Sequence, residues 1–117
     1  MLGKHLRRNG IEECKKVIIR LLRLVETGMV VIKTFEIKNK LGLHARVAAK
    51  LINVSTRFKA KIFFERDGKV ANGKSLLSIL TLACPLGSRL TLRAEGIDAR
   101  AAVEDLGKLI EDKFGED

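Results

Sequence analysis

Between residues 29 and 117 the spacing of apolar positions changes several times, and each change marks an element. Phe35 and Ile37 face one way while Thr34, Glu36 and Lys38 face the other, an alternation that predicts a half-buried strand. After a loop over 41–44, apolar residues at 47, 48, 51, 52, 54 and 58 recur at helical spacing, so 45–58 is expected to be a helix. Ile62 and Phe64 mark a second strand, Asp67-Gly68 a tight hairpin turn, and Val70 a short third strand. Residues 74–83 read as a short helix, with Pro85 ending it. In the fourth strand Leu90, Leu92 and Ala94 alternate with Arg89, Thr91, Arg93 and Glu95. Asp98 stands where it can cap a final helix, on which Ala102, Val103, Leu106, Ile110 and Phe114 share one stripe. The order βαββαβα predicts an α+β open-faced sandwich, a four-stranded antiparallel sheet with three helices on one face and the polar side of each strand wet.

The first 28 residues form a separate pattern. Within 11–26, Ile18, Leu21, Leu22 and Val25 recur at helical spacing while Lys16, Arg20 and Arg23 fall on another face, which predicts an N-terminal amphipathic helix stopped by Gly28. Three readings compete: a helix packed on the domain or on a second chain, a basic helix lying on an acidic membrane surface, and translated sequence upstream of a start at Met29. Everything after Met29 makes a self-sufficient pattern, which favours the third. The division is therefore an extension over 1–28 and one domain over 29–117.

Composition narrows the class. With 46% hydrophobic residues but only five Phe and no Trp or Tyr, the core must be built from aliphatic side chains. No apolar run approaches the ~20 residues that span a bilayer, and the best stretch, 17–25, is broken by Arg20 and Arg23. Cys14 and Cys84 lie far apart, and the only histidines are His5 and His44, so neither a disulfide framework nor a metal site is indicated and a cytoplasmic protein is expected. The formal charge of +9 suggests nucleic acid as a partner. Residues 1–28, however, carry seven Lys/Arg against three acids, so nearly half of that excess lies outside the domain.

The candidate chemistry sits in Lys40-Leu41-Gly42-Leu43-His44-Ala45-Arg46-Val47-Ala48, which puts a histidine at the mouth of a helix with an arginine two residues on. The first N–H groups of a helix, Ala45 among them, lack internal partners and favour an anion. A positive helix end also works against an imidazolium, which favours a neutral, nucleophilic ring at His44. The same N–H groups and Arg46 would then stabilise a phosphoryl group carried there. By local chemistry alone, His44 as a plain cap and Arg46 as a solvated charge remain an open alternative.

The run Gly42-Leu43-His44-Ala45-Arg46, the later Asn72-Gly73-Lys74-Ser75, and the element order together resemble the HPr family, the histidine-containing phosphocarriers of the bacterial phosphoenolpyruvate-dependent phosphotransferase system. The resemblance covers about 30–114. It implies that His44 is phosphorylated on Nδ1 by enzyme I and that Arg46 shields the phosphate. It further implies that the group passes to EIIA-type acceptors in sugar uptake or regulation. Leu77 and Leu80 would form the docking surface, and the basic residues Arg46, Lys50 and Lys74 would meet acidic partners. Ser75 is implied as a regulatory site for an HPr kinase/phosphorylase, with the plain N-cap as its alternative. Such a monomeric carrier is a covalent relay, not an independent catalyst, and calls for no cofactor, metal or nucleic acid. The family usually has proline where this chain has Val47, so a slightly less rigid site with intact function is expected.

Two competing patterns carry less weight. Residues 68–75 match G-x-x-x-x-G-K-S, a nucleotide-phosphate loop, but the hairpin makes better use of Asp67-Gly68, and the remaining chain cannot complete a parallel sheet. A small basic RNA-binding module of ferredoxin-like topology would need aromatic side chains on the wet sheet face, where Phe63 is the candidate.

Overall fold

The computed structural model describes residues 14–19 and 30–116. In chain order the domain contains β1 (Val30–Glu36), α1 (Ala45–Ser55), β2 (Lys61–Arg66), β3 (Lys69–Asn72), α2 (Leu76–Leu80), β4 (Arg89–Glu95) and α3 (Ala99–Glu111), followed by a 3-10 turn at Lys113–Gly115. The four strands form one antiparallel sheet in the order β1-β4-β2-β3. All three helices cover one face of it, as the pattern predicts.

The alternation within each strand sorts the side chains. Phe35, Ile62, Phe64, Ala71, Leu90, Leu92 and Ala94 are buried on the inner face. The helices answer with Val47, Ala48 and Leu51, with Ile79, and with Ala102, Val103, Leu106 and Ile110. Excluding water from this largely aliphatic surface, with Phe35 and Phe64 among it, is the main stabilising term. At the β2–β3 hairpin, Asp67 and Gly68 both take positive φ, the geometry that a two-residue loop between twisted strands requires.

The differences from the sequence reading lie at element ends. The first helix stops at Ser55, short of 58, because the chain turns at Thr56 to bring Phe58 against the core. The second covers Leu76–Leu80 only, within the expected 74–83, because Ser75 caps it and Ala83 adopts φ 49°. Leu76 is 40% exposed, since so short a helix turns only Ile79 fully inward. Phe114 does reach the core, but through the turn after α3, with φ 56°. Asp98 occupies the N-cap position of α3 without capping it. Its two carboxylate oxygens instead accept the N–H groups of Lys59 and Ala60, each at 2.8 Å, tying the entry of β2 to the start of α3. Those N–H groups hold the Asp98 carboxyl below the ordinary carboxylate range, that of Lys59 most strongly.

Residues 14–19 are helical and every one is exposed. The remaining positions of the amphipathic pattern, Leu21, Leu22, Val25, Arg20 and Arg23, lie outside the described residues, as do Gly28 and Met29.

Candidate functional site

The loop that presents His44 is fixed from below. Gly42 has φ +67°, and a Cβ there would stand 2.3 Å from the carbonyl oxygen of Cys84, so no larger residue fits the conformation or the space. The Leu43 N–H donates to that same Cys84 oxygen at 2.8 Å. Asn39, wholly buried in the loop after β1, donates its Nδ2 to Gly42 O at 2.7 Å.

His44 is the N-cap residue of α1, with φ −95° and ψ 177°, and its side chain makes no capping bond. Its Nε2 instead lies 2.8 Å from Glu116 Oε1. The same carboxylate oxygen accepts Asn39 Nδ2 at 2.9 Å. The His44 hydrogen bond, and after it that from Asn39, holds the Glu116 carboxyl below the usual carboxylate range. Glu116 reaches this place because buried Phe114 anchors the turn after α3, while Lys50 Nζ donates to the Phe114 carbonyl at 2.6 Å. A carboxylate can only accept, so Nε2 carries a proton, and in the neutral ring Nδ1 then holds the lone pair. Among the described residues Nδ1 has no hydrogen-bond partner.

In α1 the Ala48 N–H makes the first intrahelical bond, 2.9 Å to His44 O. The N–H groups of Ala45, Arg46 and Val47 precede it and find no acceptor among the described residues. Arg46 is exposed beside them. This arrangement combines a lone-pair nitrogen, unpaired N–H groups and a guanidinium, the parts needed to accept a phosphoryl group and hold its charge.

The other residues singled out in the sequence are more dispersed. Leu77 is 77% exposed on α2, which packs beside α1, whereas Leu80 is half-buried against the core. Lys74 is held with its Nζ 2.8 Å from the Phe58 carbonyl, beyond the C-terminal end of α1 and thus at the far end of that helix from His44. Ser75 caps α2, its Oγ accepting the Ser78 N–H at 3.3 Å. Asn39 and Glu116 were not foreseen. Asn39 in the loop after β1 looks like any turn residue, and Glu116 meets His44 across 72 positions that no local pattern connects.

The competing patterns separate in space. The glycines and lysines of 68–75 fall in a hairpin turn, an antiparallel strand and a helix cap, so no parallel strand leads into a phosphate loop. On the open sheet face Arg93 lies 4.7 Å from the centroid of the Phe63 ring and pairs with Glu65, which covers one face of the aromatic that base stacking would need. Among the described residues no group of three or more His, Cys, Asp or Glu is placed to hold a metal ion. None of the helices there is long and apolar enough to cross a membrane.

Comparison with known proteins adds an independent line. A family model described as the phosphorylation site of the PTS HPr component matches residues 31–112. The phosphocarrier protein HPr of Treponema pallidum is 38% identical over 87 residues, covering 74% of this chain and 99% of that protein. A multiphosphoryl transfer protein of Haemophilus influenzae is 44% identical over 98 residues, but the chain spans only 20% of its length. Among solved structures, an HPr from Thermoanaerobacter tengcongensis superposes with a TM-score of 0.72 at 44% identity, covering 74% of this chain and 98% of that one.

Proposed function

The chain belongs to the HPr family and is a phosphoryl carrier of the phosphotransferase system, and on that premise we propose that His44 Nδ1 is the atom that bears the phosphoryl group. The observation that carries this reading is the ring's orientation: Glu116 engages Nε2, so Nδ1 is the nitrogen that holds the lone pair in the neutral ring, at the start of α1. The lone pair attacks the phosphorus of a phosphohistidine on enzyme I. A new N–P bond forms as the old one breaks, and the donor imidazole leaves with its own electron pair. The His44 ring still carries its Nε2 proton and becomes cationic. The Glu116 carboxylate offsets that charge, while Ala45 N–H and the Arg46 guanidinium act on the phosphoryl oxygens. Transfer onward to an EIIA-type acceptor reverses these steps. The donor is already activated, so positioning and charge stabilisation suffice.

Several further assignments belong to the same proposal. Leu77, with Leu80 at its margin, supplies apolar docking area, and Arg46, Lys50 and Lys74 supply positive charge to acidic partners. Ser75 is the regulatory serine for an HPr kinase/phosphorylase. A phosphate there would add about −2 charge on the face that Leu77 occupies and weaken docking by repulsion. The domain acts as a cytoplasmic monomer comprising residues 29–117. Incubation with phosphoenolpyruvate and enzyme I is expected to give an acid-labile, alkali-stable label that disappears in His44→Ala. Label surviving that substitution would refute the assignment of the site.

A further inference from the structure

Residues 14–19 form a helix that the domain does not use. Each is exposed, Val17, Ile18 and Ile19 at 56, 54 and 51%, and the core closes without any of them. The sequence on both sides extends the same pattern. Ile11, Ile18, Leu21, Leu22 and Val25 share one broad face at helical spacing, and Lys15 and Arg20 stand at its two borders. Between Cys14 and Val25 there are four basic residues and no acid. The three acids, Glu12, Glu13 and Glu26, lie at the ends of the pattern, and Lys4, Arg7 and Arg8 precede it. The result is an apolar face with no partner in the domain, bordered by long basic side chains.

We propose that residues 11–26 lie as a helix on the surface of an anionic lipid bilayer, with the apolar face at the acyl boundary and the basic residues among the headgroups. Arg20 and Arg23 break the apolar run 17–25 well short of the ~20 residues that spanning requires, so the helix lies on the bilayer and does not cross it. A second copy of the chain fits the face less well. Ile11, Cys14, Ile18, Leu21 and Val25 make a seam of two heptads, short of the roughly three that a coiled coil sustains. Beside that seam, where pairing charges would stand, are Val17, Leu22 and Leu24. Pairing would also bring together two segments that each carry seven Lys/Arg against three acids, whereas an anionic surface attracts both. The inference is independent of the His44 reading. It holds the carrier at a membrane surface while its domain stays outside the bilayer.

The test is co-sedimentation of the full chain with vesicles of phosphatidylcholine alone and of phosphatidylcholine mixed with an equal amount of phosphatidylglycerol. Binding to the anionic vesicles, little to the neutral ones, and a steep decline with added salt are expected. Arg20→Gln combined with Arg23→Gln removes two charges and should weaken binding roughly thirtyfold. Ile18→Gln combined with Leu22→Gln should weaken it by more than about tenfold. Both variants leave the domain untouched and should be phosphorylated by phosphoenolpyruvate and enzyme I at the parent rate, which separates lost binding from lost folding. No binding to anionic vesicles, equal binding to both vesicle types, or unchanged binding in either variant would overturn the proposal. A lipid-free dimer in sedimentation velocity that persists in the arginine variant and dissociates in the Ile18 and Leu22 variant would overturn it too, because the apolar face would then belong to a second copy.

Discussion

A single methyl group at position 42 is enough to disturb the site. Gly42→Ala places a Cβ against the Cys84 carbonyl and Pro85 Cα at a left-handed φ, and both the clash and the backbone preference oppose folding. A loss of about 2 kcal/mol or more is expected from denaturant unfolding. A variant as stable as the parent would mean that the loop is not pinned there. At this scale the sequence was legible where chemistry is local. His44, Ala45 and Arg46 are neighbours in the chain, and the structure sets them at a helix start, where the sequence reading put them. Asn39 and Glu116 were illegible because the bonds from Asn39 to Glu116 and between Glu116 and His44 depend on the loop after β1 and the turn after α3 arriving at one point. The reach of Lys74 was equally non-local: adjacent to Ser75 in sequence, it extends to the Phe58 carbonyl.

Among the elements, Asp98 illustrates how a correct position can hide a different job. The sequence places an aspartate at the start of α3, and the structure gives its carboxylate to the Lys59 and Ala60 amides instead. Asp98→Ala leaves two N–H groups without that acceptor and is expected to lower stability by about 1–2 kcal/mol. The sign of its pH dependence follows from the lowered carboxyl. The folded value lies below the unfolded one, so the contribution is complete above the ordinary carboxylate range and is lost as pH falls through the folded value. Unfolding measured from neutral to acid pH should show a smaller acid loss in Asp98→Ala than in the parent, and parallel curves would contradict this role. Period-two and helical spacing were enough to locate every strand and helix of the domain. They missed helix ends, because Ser75 starts a helix through its side-chain cap and Thr56 and Ala83 stop helices through turn geometry, none of which hydrophobic spacing records.

For the molecule as a whole, the inner-face residues of four strands and three helices close one apolar core without any residue from 14–19. A protein beginning at Met29 is therefore expected to fold cooperatively, with a denaturation midpoint close to that of the full chain, and to accept the phosphoryl group at a similar rate. A clear loss of either would assign a structural role to the first 28 residues. The overall charge misled in proportion to the part carried by that segment, whereas topology was legible because each change of period corresponds to one element of a small sheet.

The account depends most on one atom. Nitrogen-resolved NMR of the His44 ring after phosphorylation by enzyme I should show phosphorus bonded to Nδ1 and the proton retained on Nε2 beside Glu116. Phosphorus on Nε2, or on any residue other than His44, would contradict it.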